Sequence, residues 1–180
     1  MNPKGKLASL GEIMQLAYVP SDFDQALKFW IETMGAGPFF TADHIELQDV
    51  RYLGRAADID LSVAIGYWGE LQIEIIRQHN DTPSIYSSWR NEGSEGLHHV
   101  CIVADDMNVV RKACNDAGAR IVQEGKVPGS GSEFLYADTG GGPGTLLEVL
   151  TPGPGNLELF AMMRDAARNW DGTGPVRKLR

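Results

Sequence analysis

The chain has 180 residues and a formal net charge of −8, with 43% hydrophobic and 22% charged residues. This composition is typical of a soluble globular protein, long enough for one sizeable domain or two small halves on a shared core. The acidic balance argues against nucleic acid as a partner, because phosphate binding needs a basic surface. No apolar run approaches the roughly 20 residues that span a bilayer, so no membrane partner is expected.

The two cysteines and the chain ends carry further expectations. Cys101 and Cys114 are too few for a disulfide framework, which predicts a reducing compartment, the cytoplasm. The stretch 1–14 is too polar for a signal peptide, in keeping with that compartment. The basic end "VRKLR" (176–180) predicts a frayed tail.

The first half of the chain predicts a strand, a helix and further strands. "GEIMQLAYVP" (11–20) is an apolar run ended by proline, which indicates a buried strand. "SDFDQALKFWIETMG" (21–35) has a helical apolar stripe, with Ser21 as N-cap and Gly35 as its stop. Three more strands are predicted at 37–47, 58–68 and 69–78, with a polar stretch, 51–57, between the first two.

The same order returns after a stretch with the composition of a linker. Residues 79–96 are rich in Ser, Asn, Gly and Pro. A strand, a helix and three strands then follow at 97–104, 105–118, 120–127, 132–139 and 144–152. The order β-α-β-β-β therefore occurs twice, which indicates an internal repeat. The boundaries expected are a first module at 11–80, a linker at 81–96, a second module at 97–152, and a C-terminal helix and tail at 153–180.

Superposing the repeats singles out four polar positions. The helix starts set the register, with Asp22 on Asp106, a shift of 84 residues. The same shift places Gln15 on His99. In the last strands "QIEII" matches "LLEVL", which aligns two glutamates in apolar surroundings. The four positions are Gln15, Glu74, His99 and Glu148.

Strand alternation predicts which face each side chain takes. Adjacent residues of a strand point to opposite faces, so His98 and His99 are expected apart. A bulky set is expected under the helices, namely Leu16, Tyr18, Val100 and Ile102. The opposite set, a polar residue followed by a small one, is expected on a concave face with room for a ligand. His98, which aligns with Met14, is accordingly interpreted as structural.

The glutamates favour a metal site. An ionised carboxylate in an apolar strand is costly unless it is paired or bound to a metal. Two carboxylates, one imidazole and one amide oxygen suit a divalent cation such as Mg²⁺, Mn²⁺, Co²⁺, Ni²⁺ or Zn²⁺ better than a thiolate site would. Cys101 is a neighbour, but the set is complete without it. The alternative is that each residue is structural and satisfied by a hydrogen bond or water, and Gln15 is the weakest member.

The paired repeats, with "LHHVCIVADDM" and "GTLLEVLTP", resemble the vicinal oxygen chelate superfamily over residues 11–152. Its members include glyoxalase I, methylmalonyl-CoA epimerase, extradiol dioxygenases and bleomycin-resistance proteins. The resemblance implies an α+β fold of two paired βαβββ modules, a curved, partly open barrel around a metal site, here with an added C-terminal helix. It also implies one ligand from the first and last strand of each module. These ligands are Gln15, Glu74, His99 and Glu148.

The resemblance further implies a metal-dependent isomerase or epimerase, of lyase type, acting next to a carbonyl through an enediolate that the metal holds. Methylmalonyl-CoA epimerase-like and glyoxalase I-like activities share this chemistry. Glu148 is the first choice as base and Glu74 the second. The alternatives are an extradiol-type ring-cleaving dioxygenase, which Glu74 fits poorly, and a non-catalytic small-molecule-binding protein of the same fold.

The substrate is expected to be a small carbonyl compound or thioester, and relatives imply a homodimer. Four aromatic residues either line the pocket or belong to the core: Phe39, Phe40, Tyr67 and Trp68. Arg77 and Arg90 either hold an anionic substrate or lie in solvent. The stretch 51–57 either covers the pocket or is a surface loop.

Overall fold

Within residues 6–179, which a computed structural model describes, the chain forms one curved, unclosed sheet of eleven strands with four α-helices. The strands are β1 Ile13–Tyr18, β2 Phe39–Ile45, β3 Gln48–Tyr52, β4 Arg55–Ala56, β5 Leu61–Trp68, β6 Leu71–Gln78, β7 Leu97–Val103, β8 Arg120–Val127, β9 Ser132–Asp138, β10 Leu146–Thr151 and β11 Val176–Lys178. The helices are α1 Phe23–Lys28, α2 Ile85–Asn91, α3 Met107–Ala117 and α4 Asn156–Arg168. The described range leaves out residues 1–5, which belong to the stretch judged too polar for a signal peptide. It also leaves out residue 180 of the basic end.

The sheet order confirms two βαβββ modules followed by a C-terminal helix. The order is β11-β2-β5-β6-β1-β7-β10-β9-β8-β3-β4. The first strands of the two modules, β1 and β7, pair antiparallel at the centre. Each also pairs in parallel with the last strand of its own module, β6 or β10. The four strands that carry the predicted ligands are therefore neighbours.

Each module packs its own helix under its half of the sheet. The first helix buries Phe23, Leu27 and Trp30 against a layer that includes Leu16 and Tyr18. The helix of the second module, α3, buries Met107 and Val110 against Val100 and Ile102. The bulky set predicted from alternation is therefore confirmed. None of the helices in residues 6–179 is long and apolar enough to cross a membrane.

The start of α1 differs from the prediction by one residue. The N-cap is Asp22 and not Ser21, because the Asp22 carboxylate accepts from the Gln25 backbone N–H at 2.9 Å. In the second module Asp106 caps α3 in the same way. The α-helical part of the first helix is also shorter than 21–35, since Phe29–Thr33 forms a π-helical turn.

The stretch interpreted as a linker contains a helix. Ser84 begins α2 through a capping box with Ser87, so serines that suggested a linker are helix caps. Tyr86 and Trp89 of this helix are buried. The stretch is therefore not irregular throughout, and the module boundaries 11–80, 81–96, 97–152 and 153–180 stay predictions.

Two peripheral segments extend the sheet. The polar stretch 51–57 belongs to a β3–β4 hairpin that pairs with β8 of the second module, with Arg51 opposite Glu124. The stretch is mostly exposed and thus lies at the surface, in a hairpin with regular strands. The expectation of a frayed tail was wrong for β11, which pairs with β2 and places Lys178 beside Asp43.

The start of α4 depends on a close approach of two backbones at Gly153. A Cβ on Gly153 would overlap the carbonyl oxygen of Ser130. A Cβ on Gly129, which precedes Ser130 in the β8–β9 loop, would meet nothing within 4 Å. We expect Gly153→Ala to lower the free energy of unfolding by about 2 kcal/mol, because backbone atoms must move apart. Chemical denaturation checks this, with Gly129→Ala as control. Equal stability of the two variants would contradict it.

Candidate metal centre

Cross-strand register brings Glu74 and His99 to the same face. Glu74 on β6 pairs with Ala17 on β1, and Ala17 pairs with His99 on β7. Ala17 is fully buried and has the smallest side chain that carries a Cβ. It therefore leaves room between the glutamate and the histidine, as expected from a small residue two positions after Gln15.

The next row of the sheet carries the other two predicted ligands. Gln15 on β1 pairs with Cys101 on β7, which pairs with Glu148 on β10. Tyr136 on β9 stands opposite Glu148. The side chains of this row are buried and line a cavity of about 260 Å³ on the concave face, namely those of Gln15, Cys101, Glu148 and Tyr136.

Three of the four predicted ligands converge. The Nε2 atom of His99 lies 3.1 Å from Oε2 of Glu148 and 3.9 Å from Oε2 of Glu74. One ligand atom from each residue lies within 4.8 Å of the other two. The His99 side chain is inaccessible, and the Glu74 and Glu148 side chains are 13% and 11% exposed. The arrangement offers one imidazole nitrogen and two carboxylates to a single point.

Gln15 lies beside this group with its amide oriented by a neighbour. Its Nε2 donates to Oε1 of Gln72 at 2.6 Å, and Gln72 in turn donates to the Tyr67 hydroxyl at 2.9 Å. The oxygen of Gln15 is thus the free end of the amide. An amide oxygen is the end that a divalent cation takes.

A β-bulge removes the expected separation of His98 and His99. Ala17 pairs with His99 and Tyr18 with Leu97, so His98 has no partner on β1. A bulge interrupts strict alternation and redirects a side chain. The two Nδ1 atoms are 2.8 Å apart, so the expectation that the two rings lie on opposite faces was wrong, whereas the interpretation of His98 as structural stays a prediction.

The first module has a matching irregularity. Ile13 pairs with Ile102 and Gln15 with Cys101, which leaves Met14 as the extra residue. Met14 lines the cavity, although alternation placed it on the opposite face. Met14 and His98, which align at a shift of 84 residues, are therefore both bulge residues, and each is next to a predicted ligand.

The contacts of His98 determine which nitrogen of His99 carries a proton. The Nε2 atom of His98 lies 3.4 Å from the carbonyl oxygen of Ile85, which can only accept. Burial, and then the neighbouring His99, lower the pKa of His98 to about 3, so its ring is neutral. Its Nδ1 must then accept from Nδ1 of His99. The Nε2 atom of His99 is left with a lone pair facing the carboxylates.

The donor set fits a divalent cation. The His99 lone pair and the oxygens of Glu74 and Glu148 are all electron-pair donors. Burial, and then the charge of Glu148, raise the pKa of Glu74 well above its usual range. Such groups repel one another unless a positive charge lies between them. A mixed N/O set of this kind matches the preferences of Mn²⁺, Co²⁺, Ni²⁺ or Zn²⁺.

Two tyrosines that the sequence analysis missed anchor Glu148. The Tyr136 hydroxyl donates to Oε1 of Glu148 at 3.1 Å, and the Tyr86 hydroxyl donates to that of Tyr136 at 2.9 Å. Burial raises the pKa of both hydroxyls well above the usual range, so both remain donors. Tyr86 was missed because it lies in the predicted linker. Tyr136 could have been found from the β9–β10 hairpin register, which places it opposite Glu148.

The sequence matches a known family over more than half its length. Residues 14–136 match the Glyoxalase/Bleomycin resistance protein/Dioxygenase superfamily. The chain belongs to this superfamily. No curated protein is similar enough to the chain in sequence to count as a match.

Solved structures with the superfamily fold are similar to this chain at low identity. Methylmalonyl-CoA epimerase from Mycobacterium tuberculosis is 15% identical, with a TM-score of 0.57 over 88% of this chain and 98% of that one. The Streptomyces coelicolor epimerase in complex with 2-nitronate-propionyl-CoA is 17% identical, with a TM-score of 0.54 over 78% and 94%. A hypothetical protein from Bacillus halodurans is 16% identical, with a TM-score of 0.54 over 78% and 93%. At such identities the likeness concerns the fold.

The candidate substrate-binding residues lie away from the centre of this superfamily member. Phe39 is core, Phe40 and Tyr67 pack on Met163, and Trp68 is half exposed. Arg77 stacks on the Phe23 ring at 4.8 Å, and Arg90 donates to the Gln78 carbonyl at 3.1 Å. None of the six candidates is among the described residues that line the cavity.

Within the described residues a second group with metal-ligating side chains lies at the surface. It comprises His44, Asp60 and His79. His44 Nδ1 is 2.8 Å from Asp60 Oδ1, and His79 Nε2 is 2.7 Å from Ser62 Oγ. These hydrogen bonds account for the arrangement without an ion.

The pH dependence of stability tests the neutral state of His98. Its pKa falls from 6.5 to about 3 on folding, so between these values only the unfolded chain binds the proton. The resulting stabilisation is present above pH 6.5 and is lost as the pH falls toward 3. Between pH 7.5 and 5.5, we expect the chelator-treated protein to lose about 1 kcal/mol more unfolding free energy than His98→Gln does. Identical pH profiles in chemical denaturation would contradict this.

Proposed function

We propose that this protein is a metal-dependent isomerase or epimerase, of lyase type, that moves a proton at a carbon next to a carbonyl. The observation that supports this proposal is the convergence of Glu74, His99 and Glu148 within 4.8 Å, with both glutamates lining a cavity. Two carboxylates beside one cation site suit this chemistry, because one can hold the ion while the other transfers a proton. Methylmalonyl-CoA epimerase-like and glyoxalase I-like reactions are the two forms that the sequence resemblance implies.

The cofactor we propose is a divalent ion, with Ni, Co, Mn, Mg and Zn all compatible with the donor set. His99, Glu74 and Glu148 would hold it, with the Gln15 oxygen as a fourth ligand. When bound, the ion supplies a Lewis acid that polarises the substrate carbonyl and stabilises the negative charge developing on its oxygen. His98 keeps the His99 lone pair directed at the site.

The contacts favour Glu74 as the acid/base. Glu148 is restrained by the Tyr136 hydroxyl, which donates to its Oε1 atom at 3.1 Å. Among the described residues no hydrogen bond reaches the Glu74 carboxylate, whose Oε2 atom lies 3.9 Å from Nε2 of His99. A carboxylate without such restraints can turn toward the substrate carbon, take its proton and return it. We therefore propose Glu74 first and Glu148 second, the reverse of the order expected from the sequence resemblance.

Two alternatives from the sequence analysis remain as outcomes of the experiment. An extradiol dioxygenase site needs two histidines and one carboxylate, whereas this centre offers one histidine and two carboxylates. A non-catalytic binding protein would keep the cavity without turnover. Neither alternative makes use of an unrestrained Glu74.

The deciding experiment follows solvent deuterium uptake at the carbon next to the carbonyl. The purified protein is loaded with Mn²⁺, Co²⁺ or Ni²⁺ and incubated in D₂O with each of three compounds. They are methylmalonyl-CoA, the hemithioacetal of methylglyoxal and glutathione, and 2-hydroxyacetophenone. We expect metal-dependent exchange with at least one, measured by NMR. No exchange into any compound by a protein shown to hold metal would overturn the proposal and favour the binding protein.

Location and assembly form a separate proposal. Cys101 and Cys114 are free and buried, which supports a reducing compartment, the cytoplasm. The homodimer implied by the family resemblance is also proposed. Light scattering during gel filtration measures the assembly, and a monomer would overturn it.

A further inference from the structure

The cavity beside the candidate centre has apolar walls from both modules and from α4. Leu61 and Val63 come from β5, Phe134 from β9 and Leu150 from β10, and α4 adds Phe160 and Met163. The polar groups of the centre occupy one part of this lining. Apart from Ser130, Ser132 and Asn156, most of the remaining lining is apolar, and an apolar group that binds against it loses contact with water favourably.

The charges around the cavity are of one sign. Among the described residues that line it, the acidic side chains are Glu74 and Glu148, and none is a lysine or arginine. Arg164 of α4 lies on the helix that borders the cavity but points to Glu70, at 3.6 Å. The two carboxylates would balance the charge of a divalent ion at the centre, so a negative substrate group in the cavity would be desolvated without a lysine or arginine to pair with it. This is strongly unfavourable.

The size of the cavity sets a second limit. Its volume of about 260 Å³ is just under the roughly 300 Å³ at which small-molecule sites begin. A compact group such as a phenyl ring or a branched alkyl chain is of the right scale. A glutathione or coenzyme A moiety would have to remain outside.

The helix α4 supplies one wall of the cavity. It follows both repeats in the sequence and contacts β5 of the first module. Met163 is fully buried against Phe40 and Tyr67, which holds the helix in place. Phe160, three residues earlier, is partly buried and faces the cavity.

Resting on the proposed function, we propose that the cavity binds the non-reacting part of the substrate, and that this part is a compact, uncharged apolar group. The substrate class is thus a small neutral carbonyl compound bearing an aryl or branched alkyl group. Its carbonyl reaches Glu74, His99 and Glu148 while the apolar group lies between the sheet and α4.

A matched set of compounds tests the charge requirement. 2-Hydroxyacetophenone is compared with its 4-carboxamide and 4-carboxylate derivatives, and each enzymatic exchange rate is divided by the buffer-catalysed rate of that compound. The carboxamide and carboxylate have nearly the same shape, so their ratio reports charge. We expect kcat/KM for the carboxamide to exceed that for the carboxylate by at least about 100-fold. Equal rates, or a faster carboxylate, would overturn the inference.

A variant on α4 tests the location. Phe160→Arg introduces a cation into the wall at a partly exposed position. We expect it to lower the rate for 2-hydroxyacetophenone and to raise the carboxylate-to-carboxamide ratio by at least about 10-fold. Leu157→Arg is the control, because Leu157 is 59% exposed on the same helix and does not line the cavity. An unchanged ratio in Phe160→Arg would overturn the proposed location.

The outcomes separate this inference from the proposed function. Exchange into methylmalonyl-CoA but not into the neutral compound leaves the proposed function standing and overturns the inference alone. When no compound exchanges, the proposed function fails, and ligand-observed NMR of the metal-loaded protein then decides the inference. Tighter binding of the carboxamide than of the carboxylate supports it, and equal affinity overturns it.

Discussion

Replacing His99 with alanine is expected to lower the affinity for Mn²⁺ or Co²⁺ by more than about 100-fold, because partners that only orient a ligand already contribute 10–100-fold. His99 supplies the nitrogen of the group and contacts both carboxylates, at 3.1 and 3.9 Å. Without the His99 imidazole, the site loses its nitrogen ligand, and only the carboxylates of Glu74 and Glu148 remain of the converging group. Isothermal titration calorimetry of chelator-treated protein measures the affinity, and circular dichroism checks the fold.

Two neighbours of His99 are the controls for that experiment. Cys101 is buried beside Glu148 but outside the converging group, so Cys101→Ala removes no ligand atom and should leave the affinity within about threefold. His98→Ala removes the acceptor of the His99 Nδ1 proton and should weaken binding by about 10- to 100-fold. Unchanged affinity in His99→Ala would remove His99 from the site.

The substitution Glu74→Gln is expected to lower the rate of deuterium exchange by about 10²–10⁴-fold, the usual contribution of a general acid/base. The amide is isosteric and keeps an oxygen for the ion but cannot take up the substrate proton. Metal affinity should therefore fall far less than the exchange rate. Single-turnover exchange by NMR, with metal content determined on the same samples, separates the two effects.

The matched variant is Glu148→Gln. Because Glu148 is restrained by the Tyr136 hydroxyl, its substitution should affect metal affinity more than the proton-transfer step. We expect its exchange rate at saturating metal to fall by no more than about 10-fold, as for a ligand whose partner atoms remain. A larger loss in Glu148→Gln than in Glu74→Gln would reverse the assignment and restore the order implied by the sequence resemblance.

Several features were predictable from the sequence because they are local or repeated. The helix starts at Asp22 and Asp106 and the apolar periodicity around them reveal two copies of one unit. A charged residue inside an apolar strand is conspicuous wherever the strand lies, so Glu74 and Glu148 stood out before any fold was known. The family resemblance then implied two paired βαβββ modules, and the sheet order confirms them.

Other features depended on pairing between distant segments. The bulge at His98 arises from the register of β7 against β1, and alternation within one strand contains no trace of it. Tyr86 reaches Tyr136 only because α2 packs on the concave face, whereas its local sequence has linker composition. The Arg77 and Arg90 side chains turn away from the cavity for the same reason, since their partners belong to other elements.

The sequence by itself determined the repeated unit and the polar positions within it, because periodicity and residue type are properties of short segments. Only the tertiary structure decided which histidine nitrogen faces the carboxylates, which glutamate is restrained and which side chains line the cavity. Each of these depends on contacts between different strands and helices, such as that between His99 and Glu148, which are 49 residues apart along the chain. Their approach is set by sheet register and helix packing and not by local preference.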